Sequence, residues 1–116
     1  MYQYHAVIIA VYDGDTVIAN IDLGLNVWVQ EKIRLFGINA PELNGSQRID
    51  GLASRDYLRK LTLDQKVIIK TIKDKKGKYG RYLGVIHLCD ENGNMLPVMP
   101  VNTMLVRAGY AIEAEY

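Results

Sequence analysis

Cysteine occurs once in the 116 residues, at Cys89. No intrachain disulfide framework is therefore available, and a lone Cys in the run "VIHLC" reads as a buried thiol in a reducing compartment. No apolar run approaches the length of a membrane span, so no membrane partner is expected. The start "MYQYHAVIIAVYDGD" lacks the basic residues, the longer apolar stretch and the small-residue cleavage site of a signal peptide. A cytoplasmic location is the expectation, or secretion if a leader has been removed. Repeats, low-complexity tracts and Pro- or Ser-rich linkers are missing too, and residues 1–116 are expected to form a single domain.

What is present has the balance of a globular chain, with 49% hydrophobic and 23% charged residues, enough to bury a core. The net charge of +1 hides an uneven distribution: residues 66–81 hold seven basic side chains (Lys66, Lys70, Lys73, Lys75, Lys76, Lys78, Arg81) against Asp74 alone. Such a patch suits a polyanion, although a solvated lysine loop has the same composition.

Hydrophobic periodicity supplies the elements. Residues 3–12, 16–23 and 27–36 read as three meandering strands, with "DGD" and "GLN" as their turns. From Ser46 or Gly51 to Leu63 the period becomes helical, with Leu52, Tyr57, Leu58 and Leu61 on one face. Residues 66–72 and 81–88 return to strand on either side of a charged loop, "KDKKGKYG". Residues 101–108 suit a short helix stopped by Gly109. The fold class is β-rich α+β. The order predicts a five-stranded OB-fold Greek-key barrel with a helix between strands 3 and 4 and a short C-terminal helix. His5 and His87 read as structural, and Trp28, Met95, Met99 and Met104 as packing residues.

Three segments carry polar groups that strand periodicity does not require: "DGDT" (13–16), "IRLFGINAPE" (33–42) and "KYGR" (78–81). Each falls at a strand end, and strand ends of a closed barrel converge at a rim. Their inventory matches what phosphodiester hydrolysis needs. Asp15, Asn39 and the Ala40 carbonyl offer oxygen ligands for a hard cation such as Ca²⁺. Arg34 and Arg81 offer planar cations for the charge that gathers on equatorial phosphate oxygens. Glu42, after Pro41, offers a base for an attacking water, and Lys78 and Tyr79 contacts to a neighbouring phosphate. Each has a plain alternative: turn chemistry for Asp13 and Asp15, a surface pair with Glu31 or Asp22 for Arg34, a turn or helix start for Glu42, and a charged hairpin tip for residues 79–81.

With all three motifs in order and at matching spacing, the chain resembles the staphylococcal-nuclease-like (thermonuclease) family over nearly its whole length. The resemblance implies a Ca²⁺-dependent nuclease acting on single-stranded DNA or RNA and leaving 3′-phosphate ends. Asp15, Asn39 and Ala40 would then bind metal, Arg34, Glu42 and Arg81 would act in catalysis, and Lys78 and Tyr79 would bind substrate. Two departures stand out: Asn39 and Ala40 occupy positions where well-known members have Asp and Thr, and the sequence ends before the family's last C-terminal helix. The first implies weaker metal binding, and the second a homo-oligomer or a thinner core, with Tyr116 as a shifted candidate for base stacking. The alternative function is a catalytically weak OB-fold module that binds nucleic acid or a protein.

Overall fold

The computed structural model describes residues 2–76 and 82–115, the side chains of residues 73–76 excepted. The strands are β1 (Tyr2–Asp13), β2 (Thr16–Asp22), β3 (Trp28–Leu35), β4 (Ile38–Asn39), β5 (Lys66–Lys76), β6 (Tyr82–Leu88) and β7 (Ile112–Glu113). The helices are α1 (Arg48–Thr62), preceded by a 3₁₀ turn at Gly45–Gln47, and α2 (Val101–Arg107). Five strands close a barrel in the order β1-β2-β3-β6-β5, and β5 pairs back onto β1. The β3–β6 pairing is parallel, over Ile33↔Tyr82 to Leu35↔Gly84, whereas the other barrel pairings are antiparallel. This is an OB-fold barrel of the α+β class.

Alternation explains which way each strand faces. Val17, Ala19 and Ile21 of β2, Ile33 and Leu35 of β3, and Val67 and Ile69 of β5 occupy every second position and are buried inside the barrel. Leu58 of α1 and Val101 and Leu105 of α2, all fully buried, join the same core. The turn after α1 is tied to β1 by hydrogen bonds from Asp64 N–H to Ile8 O (2.7 Å) and from Ile8 N–H to Gln65 O (3.2 Å). Asn102 is buried in α2 and fully used. Its amide donates to Phe36 O and Gly84 O, and its Oδ1 accepts from Ile86 N–H, so the helix is fastened to β6 and to the end of β3.

The structure departs from the sequence reading in three places. β5 runs four residues past residue 72, through part of the expected loop. A two-stranded sheet pairs Ile38 with Glu113 and Asn39 with Ile112, two residues from each side and too short for periodicity to reveal. Trp28, Met95 and Met99 are 49%, 36% and 39% exposed and do not pack as expected, because Trp28 stands at an outward position of β3 and both methionines lie in the segment between β6 and α2. Met104 does pack against the core. His5 is structural, its Nε2 hydrogen-bonded to Gly93 O at 2.9 Å. Among the described residues no helix is long and apolar enough to cross a membrane.

Helix α1 forms the wall on which the segment after β4 rests, and two glycines permit the approach. A Cβ on Gly51 would lie 2.0 Å from Glu42 O, and one on Gly14 would lie 1.9 Å from Ser54 Oγ and 2.7 Å from Ala40 Cβ. Helix propensity alone favours Gly51→Ala by about 1 kcal/mol. Forcing the helix away from a backbone carbonyl costs roughly 1–3 kcal/mol or more. Net destabilisation is therefore expected, read as a lower urea midpoint with an unchanged m value. An equal or higher midpoint would show that the contact yields without strain.

Candidate active site

The turn "DGDT" carries two carboxylates because the chain needs a tight reversal between β1 and β2, and Asp13 makes it by accepting a hydrogen bond from Asp15 N–H at 3.0 Å. That geometry turns Asp15 inward, where only 8% of its surface is exposed. Asp15 Oδ1 accepts from Thr16 Oγ1 (3.1 Å) and Oδ2 from Ala40 N–H (2.8 Å), which joins the first turn to the segment after β4. Asp15 O also accepts from Leu35 N–H at 2.8 Å.

Arg34 completes the junction. It sits opposite Thr16 in the β2–β3 register and is also 8% exposed. Its Nη2 lies 3.3 Å from Asp15 Oδ2 and donates to Asn39 Oδ1, while Nη1 donates to Leu35 O at 2.9 Å. The surface pairing with Glu31 or Asp22 is thus replaced by a buried bridge between Asp15 and Asn39. Each buried charge loses several kcal/mol of hydration, and a fork that serves three acceptors is the arrangement that offsets such a loss.

These groups line a cavity of about 720 Å³ together with Asp13, Ala40, Pro41 and Glu42. Glu42 is exposed, and its backbone is held by Gln47 Oε1, which accepts from Glu42 N–H at 3.0 Å. Among the described residues its carboxylate enters no ion pair. Asp13 is pushed up to about 6, first by burial and then by the hydrogen bond and negative charge of Asp15, with Arg34 acting in the opposite sense. Asp15, Arg34, Asn39, Ala40 and Glu42 are therefore brought together. Lys78, Tyr79 and Arg81, and the possible stacking residue Tyr116, lie outside the described residues.

Sequence reasoning missed Tyr12, Gln47 and Tyr110, which line the same cavity. Tyr110 stacks on Tyr57 of α1 with ring centroids 4.5 Å apart. The only signal for Tyr12 was its place directly before "DGD"; Tyr110, just after the helix stop at Gly109, gave none.

The donor set fits a hard cation. Among the described residues that line the cavity, the groups able to bind a metal offer oxygen, from the carboxylates of Asp13, Asp15 and Glu42 and the amides of Asn39 and Gln47 to backbone carbonyls. No cluster of three or more His, Cys, Asp or Glu able to hold an ion occurs among the described residues, so a bound cation would depend on amide, backbone or phosphate oxygens as well. Asp13 is raised first by burial and then by the hydrogen bond and the negative charge of Asp15, and a cation nearby would favour its ionised form.

A family model described as staphylococcal nuclease homologue matches residues 32–116. That range contains Arg34, Asn39, Ala40 and Glu42 but not Asp13–Thr16. The chain is 30% identical to an uncharacterized protein of Methanocaldococcus jannaschii over 94% of its own length and 58% of that protein. It is 33% identical to a thermonuclease of Staphylococcus intermedius, covering 73% of this chain and 49% of the relative. A thermonuclease of Staphylococcus hyicus is 31% identical, covering 75% and 50%. The chain thus aligns to between 49% and 58% of the length of these relatives.

The raised carboxylate gives a pH signature. Its folded-state value, about 6, lies above the unfolded 3.8, so the folded protein holds this proton more tightly. The stabilisation is complete below the unfolded value and is lost as pH rises through the folded one. Asp13→Asn keeps the turn's acceptor and removes the charge. In chelator-containing buffer it should be more stable than the parent at neutral pH by on the order of 1 kcal/mol, after discounting for solvent screening, with the gap closing towards about pH 4. Urea melts across that range test it, and a gap independent of pH would contradict the assigned cause.

Proposed function

The chain belongs to the staphylococcal nuclease homologue family, a nuclease-like fold, and from that premise we propose that it is a Ca²⁺-dependent phosphodiesterase that cleaves single-stranded DNA or RNA and leaves 3′-phosphate ends. One observation carries the reading: a buried guanidinium, an exposed carboxylate outside any described ion pair and a set of hard oxygen donors face one cavity. A module that only binds nucleic acid has no need for that combination. Names of relatives add support, since two of them are thermonucleases.

In this reading Glu42 accepts a proton from a water in the cavity, the resulting hydroxide attacks phosphorus in line with the 5′ oxygen, the bond from phosphorus to that oxygen breaks, and the departing 5′ alkoxide takes a proton from solvent to leave as a hydroxyl. Arg34, held to the cavity wall by its bond to Leu35 O, meets the negative charge that develops on the equatorial oxygens. Asp15, Asn39 and the Ala40 carbonyl would hold Ca²⁺, which when bound supplies Lewis-acid stabilisation of the phosphate oxygens. Pro41 and the contact of Glu42 O with Gly51 restrict the backbone that aims the base. The basic residues of segment 66–81 supply long-range attraction for the polyanion.

Asn39 favours a second reading, a module that binds but barely cleaves, because an amide offers oxygen without charge. Two variants separate them. Glu42→Gln should lower kcat by about 10²–10⁴-fold with oligonucleotide affinity nearly unchanged. Asn39→Asp should lower the Ca²⁺ concentration for half-maximal cleavage about tenfold, roughly 1.4 kcal/mol. Both are read from Ca²⁺ titrations of single-stranded DNA cleavage. Parent-like turnover in the Glu42→Gln protein removes Glu42 from the mechanism, and an unmoved Ca²⁺ midpoint removes Asn39 from the metal site. Cleavage seen only in the Asn39→Asp protein makes the natural protein a binder.

A further inference from the structure

Strand β3 has two faces. Ile33 and Leu35 are completely buried, whereas Trp28, Gln30, Lys32 and Arg34 occupy the alternate positions on the outside of the barrel. Arg34 ends this outer row inside the cavity, and the other three are exposed. From Arg34 to Trp28 the row covers six residue steps, roughly 20 Å of strand.

The row has a composition that core packing does not explain. Trp28, the single tryptophan of the chain, is 49% exposed. Tyr12 is 65% exposed, lines the cavity and lies under Lys32, whose Nζ is 5.9 Å from the ring centroid. On the neighbouring strand the paired positions are Ile18 opposite Lys32, Asn20 opposite Gln30 and Asp22 opposite Trp28. Passing outward from the cavity, the surface therefore presents a guanidinium, an ammonium over an aromatic ring, two amides and an exposed indole.

We infer that this outer β2–β3 face is a binding track for single-stranded nucleic acid leading away from the cavity, with Lys32 contacting a phosphate, Tyr12 a base or sugar, and Trp28 stacking on a base several nucleotides from the cleavage point. The inference rests on the nuclease reading for the strand's near end. Aromatic surfaces alternating with cations bind single strands with little sequence preference, because every base has a stacking face. The side chains also divide the work by charge. Asp22, opposite Trp28 and bound to Gly24 N–H at 2.8 Å, disfavours a phosphate at the far end, so the indole is left to a base. Continuity with the cavity selects nucleic acid over a protein or lipid partner, although the adjacent tip with exposed Leu23, Leu25 and Val27 is apolar.

Because Trp28 is the only tryptophan, its fluorescence reports on the far end of the track directly. The parent protein is titrated in chelator with a dinucleotide and with a long oligothymidylate, and the same strands are used for cleavage with Ca²⁺. Quenching is expected with the long strand and not with the dinucleotide. Trp28→Ala should weaken the long strand roughly tenfold and leave the dinucleotide unchanged, and Trp28→Phe should recover most of the loss. Lys32→Gln should flatten the log–log salt dependence by about 0.7. Absence of quenching, absence of long-strand binding, or equal long-strand affinity in the Trp28→Ala protein overturns the track. So does a Trp28→Ala defect in self-association or vesicle binding with oligonucleotide affinity intact. Binding and quenching without any cleavage would instead sink the enzymatic reading and leave the track standing.

Discussion

The pairing of Arg34 with Asp15 is the constraint around which the candidate site is arranged. Two charges that each leave 8% of their surface in solvent are an expensive element in a small barrel, and a hydrophobic pair would stabilise the fold at least as well. What the pair provides is position. Asp15 comes from the β1–β2 turn, Arg34 from the end of β3, and the groups they share, Ala40 N–H and Asn39 Oδ1, from β4 and the residue after it. Three separate stretches of the chain are thereby held in one arrangement. Removing either charge would take a buried ionic contact from the other and loosen the bonds they make to Ala40 and Asn39, so the junction is cooperative rather than a sum of bonds.

The positions of the remaining groups follow from that junction. With Ala40 held by Asp15, the chain must continue through Pro41 across the start of α1, and the missing side chains of Gly51 and Gly14 are what let it pass so closely. Ser54 Oγ, buried beside Gly14 with no hydrogen-bond partner among the described residues, shows how tightly the wall is closed. On the opposite side, β7 pairs with β4, and Ala114 N–H bonds to Gly37 O at 2.8 Å. That pairing brings Tyr110 and Ile112 to the cavity rim. Glu42 is consequently exposed on a backbone held by Gln47 and packed against Gly51, the fixed position that a proton acceptor needs.

The sequence revealed what depends on local pattern. Alternation in "TVIANIDL" and the helical period from Leu52 to Leu61 appear as β2 and α1, and the barrel order follows from the count and sequence of such elements. Features that depend on long-range contact were not legible. Asn102 looks like a solvent-facing residue of a short helix, yet it is buried by hydrogen bonds to residues up to 66 positions away. The β4–β7 sheet has two residues per strand and no period. Trp28 reads as a packing residue, but its outward parity in β3 decides its exposure, and that parity is fixed by Ile33 and Leu35 facing in. Among the residues that line the cavity, the motifs pointed to Asp15, Arg34 and Glu42, whereas the ion pair of Arg34 with Asp15 was not legible, because it forms only once β2 and β3 are in register.

Electrostatics poses a problem that the proposed chemistry must solve. Among the described residues of the cavity, Asp13, Asp15 and Glu42 outnumber Arg34, so at neutral pH these groups together repel a phosphodiester. The basic segment 66–81 can raise the local concentration of a polyanion, yet attraction elsewhere does not remove repulsion at the reacting phosphate. A divalent cation among these oxygens would remove it. Cation and nucleic acid would then each favour the other's binding, and by linkage the two effects are equal. Asn39 adjusts that coupling. An amide at this position spares the cavity one negative charge, so less neutralisation is needed before a phosphate enters, but it also surrenders part of the attraction that holds the cation before substrate arrives. The result is a site that, on the proposed reading, gains its metal chiefly together with the strand, with phosphate oxygens supplying the ligands that the protein withholds.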